Sequence, residues 1–396
     1  MSDPLESKVL YYARELVRTK SLSGEEGDVA RLIKEFLGGE GVDKVFIDEY
    51  GNVVSIIEGG IGEIIVFEGH MDHVPEGDLG NWIVDPYEAK VIDGKLYGRG
   101  AVDMKGAIAA MIAMIGLLGE TKNLPTIVYV FVPHEEIVEG AAFKYAIEDT
   151  LKIKPSLVVL GEATNLNIHV GQRGRTVIHV DLYGETAHAS MPDKGVNPIV
   201  FAAYLLKEIN ELNEQLPVHD TLGKSTIVPT IIECSPRSPP MIPDYCRITL
   251  DRRFIVGETE EKILGEVIAA LDRAQKHANI KNVKARIPVE EIKLWTGRTI
   301  KVKHFFPAWL IENNKTVYHL LQIMRKQVNP QARISVWRFS TDGVYSAGTA
   351  GFTTIGIGPG DESLAHKPNE YVEIKQLVMA SKIYSLVAKS CSYGYS

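Results

Sequence analysis

Four short apolar runs, at residues 64–67, 126–132, 157–160 and 353–357, each break off into side chains that carry charge or bind it. The first runs into Glu68-Gly69-His70-Met71-Asp72, the second into Pro133-His134-Glu135-Glu136, and the third into Gly161-Glu162. The fourth meets Gly358-Pro359-Gly360 and then His366. Runs that are apolar at every position suit strands covered by helices on both faces, and residues 106–118 read as one such helix. Ligands of an open α/β sheet bind in the crevice beyond the carboxyl ends of its strands. Four strand ends are therefore expected to deliver carboxylates and imidazoles to one place.

The rest of the chain falls into two patterns. Residues 5–17 and 29–37 repeat apolar positions three and four apart, with Ser23 as the start of the second helix and Gly38-Gly39 as its stop. Residues 45–57 read as a hairpin turning at Gly51-Asn52. From about 175 to 300 the pattern becomes alternating, at 176–182 and 247–254, with helical stretches at 198–212 and 259–277. That predicts a small antiparallel sheet with two helices. A strand of the first kind returns only at 353, so residues 176–300 are expected to form a domain inserted into one built from 1–175 and 301–396.

Composition narrows the function classes. A chain that is 45% hydrophobic and 24% charged is ordinary for a soluble globular protein. Its net charge of -8 lacks the positive footprint of a nucleic-acid binder. The apolar stretch at 107–118 is too short to span a bilayer, and residues 1–8 carry charges where a secretory signal would be apolar. The expectation is a cytoplasmic protein with neither nucleic acid nor membrane as partner. Cys234, Cys246 and Cys391 show no C-x-x-C spacing, so no thiolate zinc site is indicated. Cys234 and Cys246 flank a Pro-rich loop at 235–243 and could be cross-strand neighbours, but two buried free thiols is the expectation. Gly223-Lys224-Ser225-Thr226 lacks the first glycine of a phosphate-binding loop, and Gly98-x-Gly100 lacks the third glycine of a dinucleotide fingerprint. Phe131, Phe305, Phe306 and Trp309 read as core or domain-junction residues rather than a stacking platform.

Imidazoles and carboxylates at strand ends are the donor set of zinc or a similar divalent ion. Singly, each has a plainer explanation: His70 as a satisfied loop histidine, Glu135-Glu136 as a solvated pair. Together they change the balance, because carboxylates seldom follow several buried runs unless something positive collects them. Residues 94–106 add Asp103, set among glycines that permit a tight backbone path and just ahead of a helix.

With His70-x-Asp72, Asp103, Glu135-Glu136, Glu162 and His366, the chain resembles the family of acetylornithine deacetylase, succinyl-diaminopimelate desuccinylase and carboxypeptidase G, which are co-catalytic zinc hydrolases. The likeness covers essentially the whole chain. It extends to Gly184-x-x-Ala187-His188-Ala189-Ser190-Met191-Pro192, Gly195-Val196-Asn197 and Leu250-Asp251-Arg252-Arg253. The segments 306–309, 337–343 and 358–366 look most like the branch linked by gene context to selenium metabolism. The resemblance implies a zinc-exopeptidase-like α/β fold, a mixed sheet with helices on both faces, carrying an inserted ferredoxin-like α+β dimerisation domain.

Carried over residue by residue, the resemblance makes Asp103 the carboxylate bridging two metal ions, zinc foremost, with cobalt or manganese as substitutes. His70 and Glu162 would hold one ion, Glu136 and His366 the other. Three carboxylates against two divalent cations leave one positive charge, which a bridging hydroxide would neutralise. Glu135 becomes the general base and Asp72 the carboxylate that orients His70. His188 is the candidate oxyanion donor, acting in the family from the partner subunit of a homodimer. Arg253 would grip a substrate carboxylate, with Arg252 as competitor; neighbours on a strand face opposite sides, so only one of them should meet the cleft. Asn197 and the backbone amides of Gly358 and Gly360 are further candidates for that anion. Ser340-Thr341-Asp342 is expected to border the pocket without an assigned role.

The expected activity is hydrolysis of an amide beside a free carboxylate, as in an N-acyl amino acid or a peptide C-terminus. In the family a glutamate at the Glu162 position tends to accompany deacylases and carboxypeptidases. A dipeptidase or aminopeptidase is the alternative within the class, and a catalytically silent dimeric binding protein the alternative outside it.

Overall fold

The computed structural model describes residues 3–390; Cys391 lies outside them. The four apolar runs become four neighbouring parallel strands, Thr126–Val132, Ile64–His70, Leu157–Leu160 and Thr354–Gly356, in that spatial order. The hairpin Lys44–Ile47 and Val53–Ile57 extends one side antiparallel. Ile168–Gln172 extends the other, pairing with Thr354–Gly356, Trp309–Leu310 and Ile334–Trp337.

Alternation decides which face each strand residue buries. Ile65, Phe67, Ile127, Tyr129, Phe131, Leu157 and Val159 pack with helices Pro4–Arg18, Gly27–Gly39, Gly106–Ala113 and Ile374–Ser390. Val66, Val128, Val130, Val158 and Leu160 face the opposite layer, where Phe143, Trp309, Trp337 and Tyr345 close the core. With both faces covered, the carboxyl ends of the strands are where polar side chains can meet a crevice of the sheet.

The inserted segment has the expected two helices and antiparallel sheet. In chain order the strands are Gly174–Tyr183, Thr226–Ser235, Tyr245–Phe254 and Asn282–Arg286, and their spatial order is second, third, first, fourth, which is the ferredoxin-like arrangement. Helices Pro198–Gln215 and Glu260–Ala274 cover one face through Phe201, Leu205, Ile209, Ile263, Val267 and Leu271. The hairpin Val289–Lys293 and Thr299–Lys303 instead packs toward the first layer, its Ile292, Ile300 and Val302 meeting Tyr50, Val138 and Val344. Phe131, Phe306 and Trp309 are buried, and Phe305 is half-buried against the core of the inserted segment. The stretch after Gly223-Lys224 is a strand, which rules out the helix a phosphate-binding loop would need.

Two local expectations fail. Ser23 does not start the second helix, which begins at Gly27 with Glu26 before it. The Ser23 hydroxyl instead donates to Asp72 Oδ2 at 2.6 Å. Cys234 and Cys246 are not free thiols: antiparallel register sets them directly opposite and they form a disulfide. Among the described residues no helix is long and apolar enough to cross a membrane.

Candidate metal centre

His70, Glu135, Glu136 and Glu162 sit where a strand hands over to a loop, while Asp103 precedes a helix and His366 lies further along a loop. His70 is the last residue of its strand and Asp72 lies two further on. After Thr126–Val132 the chain turns at His134, whose φ of 65 is in the left-handed region that histidine tolerates better than most residues. That turn is fastened by Glu26, whose Oε1 accepts the His134 amide at 3.0 Å, and it points Glu135 and Glu136 back over the sheet. Glu162 follows Leu157–Leu160, and Asp103 stands three residues ahead of Gly106–Ala113. His366 comes from the loop after Thr354–Gly356, also at a φ of 65.

The convergence centres on Asp103. His70 Nε2 lies 2.8 Å from its Oδ1 and 3.3 Å from Glu162 Oε1. His366 Nε2 lies 3.2 Å from its Oδ2 and 2.9 Å from Glu136 Oε2. One carboxylate thus offers a separate oxygen to each of two imidazole–carboxylate pairs. Donor atoms of His70, Glu135 and Glu162, and of His70, Asp103 and Glu136, lie within 4.8 Å of one another.

The electrostatics call for cations. Burial, compounded by the charge of Asp103, pushes Glu136 and Glu162 up to about 7, and burial holds Glu135 well above the usual carboxylate range. Buried oxygens of Glu135 and Glu136 have no hydrogen-bond partner. Hydrogen bonds to Asp103 and Glu136 raise His366 to about 10. For His70, burial opposes the charged form, but bonds to Asp103, Asp72 and Glu162 outweigh it and hold the imidazole well above its usual range. Four acids crowded out of water with two imidazoles are a nitrogen and oxygen donor set that suits divalent ions, so the residues present fit a two-metal centre.

The residues around the donors fix their aim. Asp72 does more than face His70: the nearest acceptor to His70 Nδ1 is the Asp72 backbone carbonyl at 3.0 Å, while its carboxylate stands 3.6 Å away. That carboxylate accepts Ser23 Oγ, the amide of Glu135 at 3.1 Å and the amide of Glu136 at 3.2 Å. It ties the strand end carrying His70 to the turn carrying both glutamates.

Sequence reasoning missed a second such tie, between Arg99 and Glu370. Glu370 Oε1 accepts the amides of Val102 at 2.8 Å and Asp103 at 3.2 Å, and its Oε2 pairs with Arg99 at 2.7 Å. Arg99 also donates to the carbonyls of Pro75, His366 and Lys367. Three loops that present donors are thereby joined through one buried ion pair. Glu68 and Asp342 are two further buried acids beside the centre, both pushed up by burial, and Glu68 Oε1 and Asp342 Oδ2 have no hydrogen-bond partner.

A cleft of about 290 Å³ opens over the donors, and besides Asp103, Glu135, Glu136, Glu162 and His366 it is lined by Glu139, Arg175, Arg253, Phe339, Ser340 and Glu362. Arg253 thus meets the cleft. Arg252 has the opposite parity, which turns it under the helices, where it is fully buried against Glu258 at 2.5 Å and Glu266 at 3.3 Å.

Three candidates for the anion site do not reach this cleft. Asn197 caps Pro198–Gln215, its Oδ1 accepting the Ile199 amide at 2.9 Å. The Gly358 amide already donates to Thr164 Oγ1 and the Gly360 amide to Gln376 Oε1, so neither is free for a substrate anion. Both positions need glycine for space: a Cβ on Gly358 would stand 2.1 Å from the Gly161 carbonyl, and one on Gly360 2.1 Å from Val102 Cγ2. His188 is exposed, bonded through Nδ1 to Ser190 at 2.7 Å, and does not line the cleft of its own chain.

Comparison with known proteins gives concordant results. The model of Peptidase family M20/M25/M40 matches residues 66–390. The uncharacterized protein YgeY of Escherichia coli K12 is 33% identical over 382 residues, covering 96% of this chain and 93% of that protein. Succinyl-diaminopimelate desuccinylase 2 of Ruegeria sp. TM1040 is 30% identical over 261 residues, 63% of this chain and 66% of that protein. The YXEP protein of Bacillus subtilis, described as a dinuclear metal-binding peptidase, superposes with a TM-score of 0.73 at 15% identity, covering 98% of this chain and 99% of that one.

Proposed function

The chain belongs to peptidase family M20/M25/M40 and is a metallohydrolase, and from that premise we propose that it hydrolyses an amide bond beside a free carboxylate, as an N-acyl amino acid deacylase or a carboxypeptidase-like enzyme. The observation that carries the site assignment is Asp103, with one oxygen toward His70 and the other toward His366. In this reading His70 and Glu162 would hold one divalent ion and Glu136 and His366 the other, with Asp103 available to both. Zinc is the ion proposed first, and cobalt or manganese would suit the same donors. When bound, such ions supply an acidified water and polarise the substrate carbonyl.

The chain's own residues supply the rest. Glu135, whose burial raises its proton affinity, takes the proton of the attacking water and returns it to the leaving nitrogen. Asp72 holds the Glu135 amide and so the direction from which that base works. Arg253 grips the substrate carboxylate from the cleft wall.

His188 stands outside its own cleft, which supports the reading that it stabilises the oxyanion in a partner's cleft. A homodimer through residues 176–300 is supported by the edge strand Thr226–Ser235, where Val228, Ile231 and Ile232 are about half exposed, beside a helix that exposes Ile199 and Val200. A long apolar edge strand is a template for pairing with a second chain.

A dipeptidase is the second reading, favoured by Glu139 in the cleft wall, an acid able to hold a substrate amino group. The test is a hydrolysis screen of N-acetyl, N-succinyl and N-carbamoyl amino acids and of dipeptides, with zinc, cobalt or manganese. Cleavage confined to substrates with a free carboxylate, and abolished in Glu135→Gln, is expected. Equal cleavage of carboxylate-blocked amides would overturn the reading.

A further inference from the structure

The two strands that carry Arg175 and Arg253 set them directly opposite one another in antiparallel register. Both have odd parity on strands whose even residues pack under the helices, so both guanidiniums fall on the cleft face, and both line the cleft. Like charges directly opposite on a sheet face are unfavourable unless an anion lies between them.

The neighbouring acids meet that need unevenly. Arg253 is held by Asp251, with Nε at 2.8 Å and one Nη at 3.3 Å. Arg175 is held loosely: one Nη is 3.4 Å from Glu139, and its buried Nε has no partner. The face of Phe306 backs its guanidinium at 5.1 Å, leaving the fork at the cleft wall.

We infer that Arg175 and Arg253 form a two-armed clamp on one substrate carboxylate, with Arg175 a binding residue of the cleft. Asp251 and Glu139 then orient one arm each. A carboxylate offers about four lone-pair sites and a guanidinium a planar fork of donors, so two forks can share one carboxylate. The clamp would favour substrates whose carboxylate is unblocked and unshielded by bulk, since two forks must reach it at once.

This inference rests on the amide-hydrolysis reading above, and its test separates the two. Calorimetry on the zinc-loaded Glu135→Gln protein, which avoids turnover, would compare N-acetyl-L-alanine with N-acetyl-L-alaninamide. The carboxylate probe should bind at least about tenfold tighter. Arg175→Met should reduce that ratio by about tenfold while leaving the amide probe unchanged, and Arg175→Lys, which keeps the charge but loses the fork, should fall between.

An unchanged ratio in Arg175→Met with full dependence on Arg253 would overturn the clamp and leave the functional reading standing. Equal weakening of both probes would mark Arg175 as structural and also overturn it. No preference for the carboxylate with both arginines present would overturn clamp and functional reading together. Should Arg175→Met fail to fold, Arg175→Lys carries the test, and an unchanged ratio in it would overturn the clamp.

Discussion

Replacing Asp72 by asparagine changes almost no volume, yet it should damage the turn that aims Glu135. The Asp72 side chain is fully buried and accepts three hydrogen bonds, from Ser23 Oγ to Oδ2, from the Glu135 amide to Oδ1 and from the Glu136 amide to Oδ2. Asparagine keeps one acceptor and turns the other into a donor. Ser23 can rotate to accept from it, but one of the two amides must then face an N–H group, whichever way the side chain is flipped.

Losing one bond to a charged acceptor and leaving a buried donor unpaired costs about 1.5–3 kcal/mol. At about 1.4 kcal/mol per factor of ten, kcat/KM should fall by roughly 10- to 150-fold if that disorder reaches Glu135. The assay is kcat/KM on the fastest cleaved amide at saturating zinc, with metal content measured in parallel. Ser23→Ala removes one donor and leaves both amides held, so its loss should stay below about tenfold. If Asp72→Asn matched the unaltered protein, or fell no further than Ser23→Ala, the carboxylate would not be what aims the base.

Other consequences follow from buried groups and exposed edges. Glu370→Gln leaves Arg99 charged and unpaired in the interior, which should lower unfolding free energy in urea by about 3–5 kcal/mol; a change under about 1 kcal/mol would contradict a buried pair. Burial, with Arg333 nearby, depresses His169 to about 4, so the folded chain resists a proton that the unfolded chain takes below its usual value near 6.5. Stability is full above pH 6.5 and is lost as the pH falls toward 4, by about 2 kcal/mol at pH 5 from this group; His169→Gln should flatten that slope, and an unchanged slope would refute the assignment. The proposed homodimer predicts a dimer in sedimentation at micromolar concentration that Ile231→Lys on the edge strand converts to monomer; a monomeric unaltered chain would refute the dimer, and an unchanged dimer in the variant would place the interface elsewhere.

The architecture was legible because it is written in periodicity. Runs apolar on both faces became the parallel strands, and the alternating stretches became the antiparallel sheet of the insertion. Most donors were legible for a related reason, since His70, Glu135, Glu136 and Glu162 stand at or just past the end of such a run, while Asp103 precedes a helix and His366 lies in the loop beyond the fourth run. What escaped the sequence depends on which distant groups meet. Ser23 carries a helix-start signature, but its partner Asp72 is 49 residues away.

Asn197 followed by proline reads equally as a ligand or a cap, and only the helix behind it decides. The Cys234–Cys246 bond and the Arg175–Arg253 pair both depend on strand register, which alternation alone leaves open by one residue or more. Alternation predicted that one of Arg252 and Arg253 would face the cleft; the helix carrying Glu266 determines that it is Arg253.

Whether Asp103 serves two metal ions at once is tested most directly by zinc titration of the metal-free protein. Two tight equivalents per chain are predicted, retained in Glu135→Gln while the rate falls by about 10² or more, and reduced to one in His366→Ala. A single tight equivalent in the unaltered chain would contradict the shared-carboxylate centre.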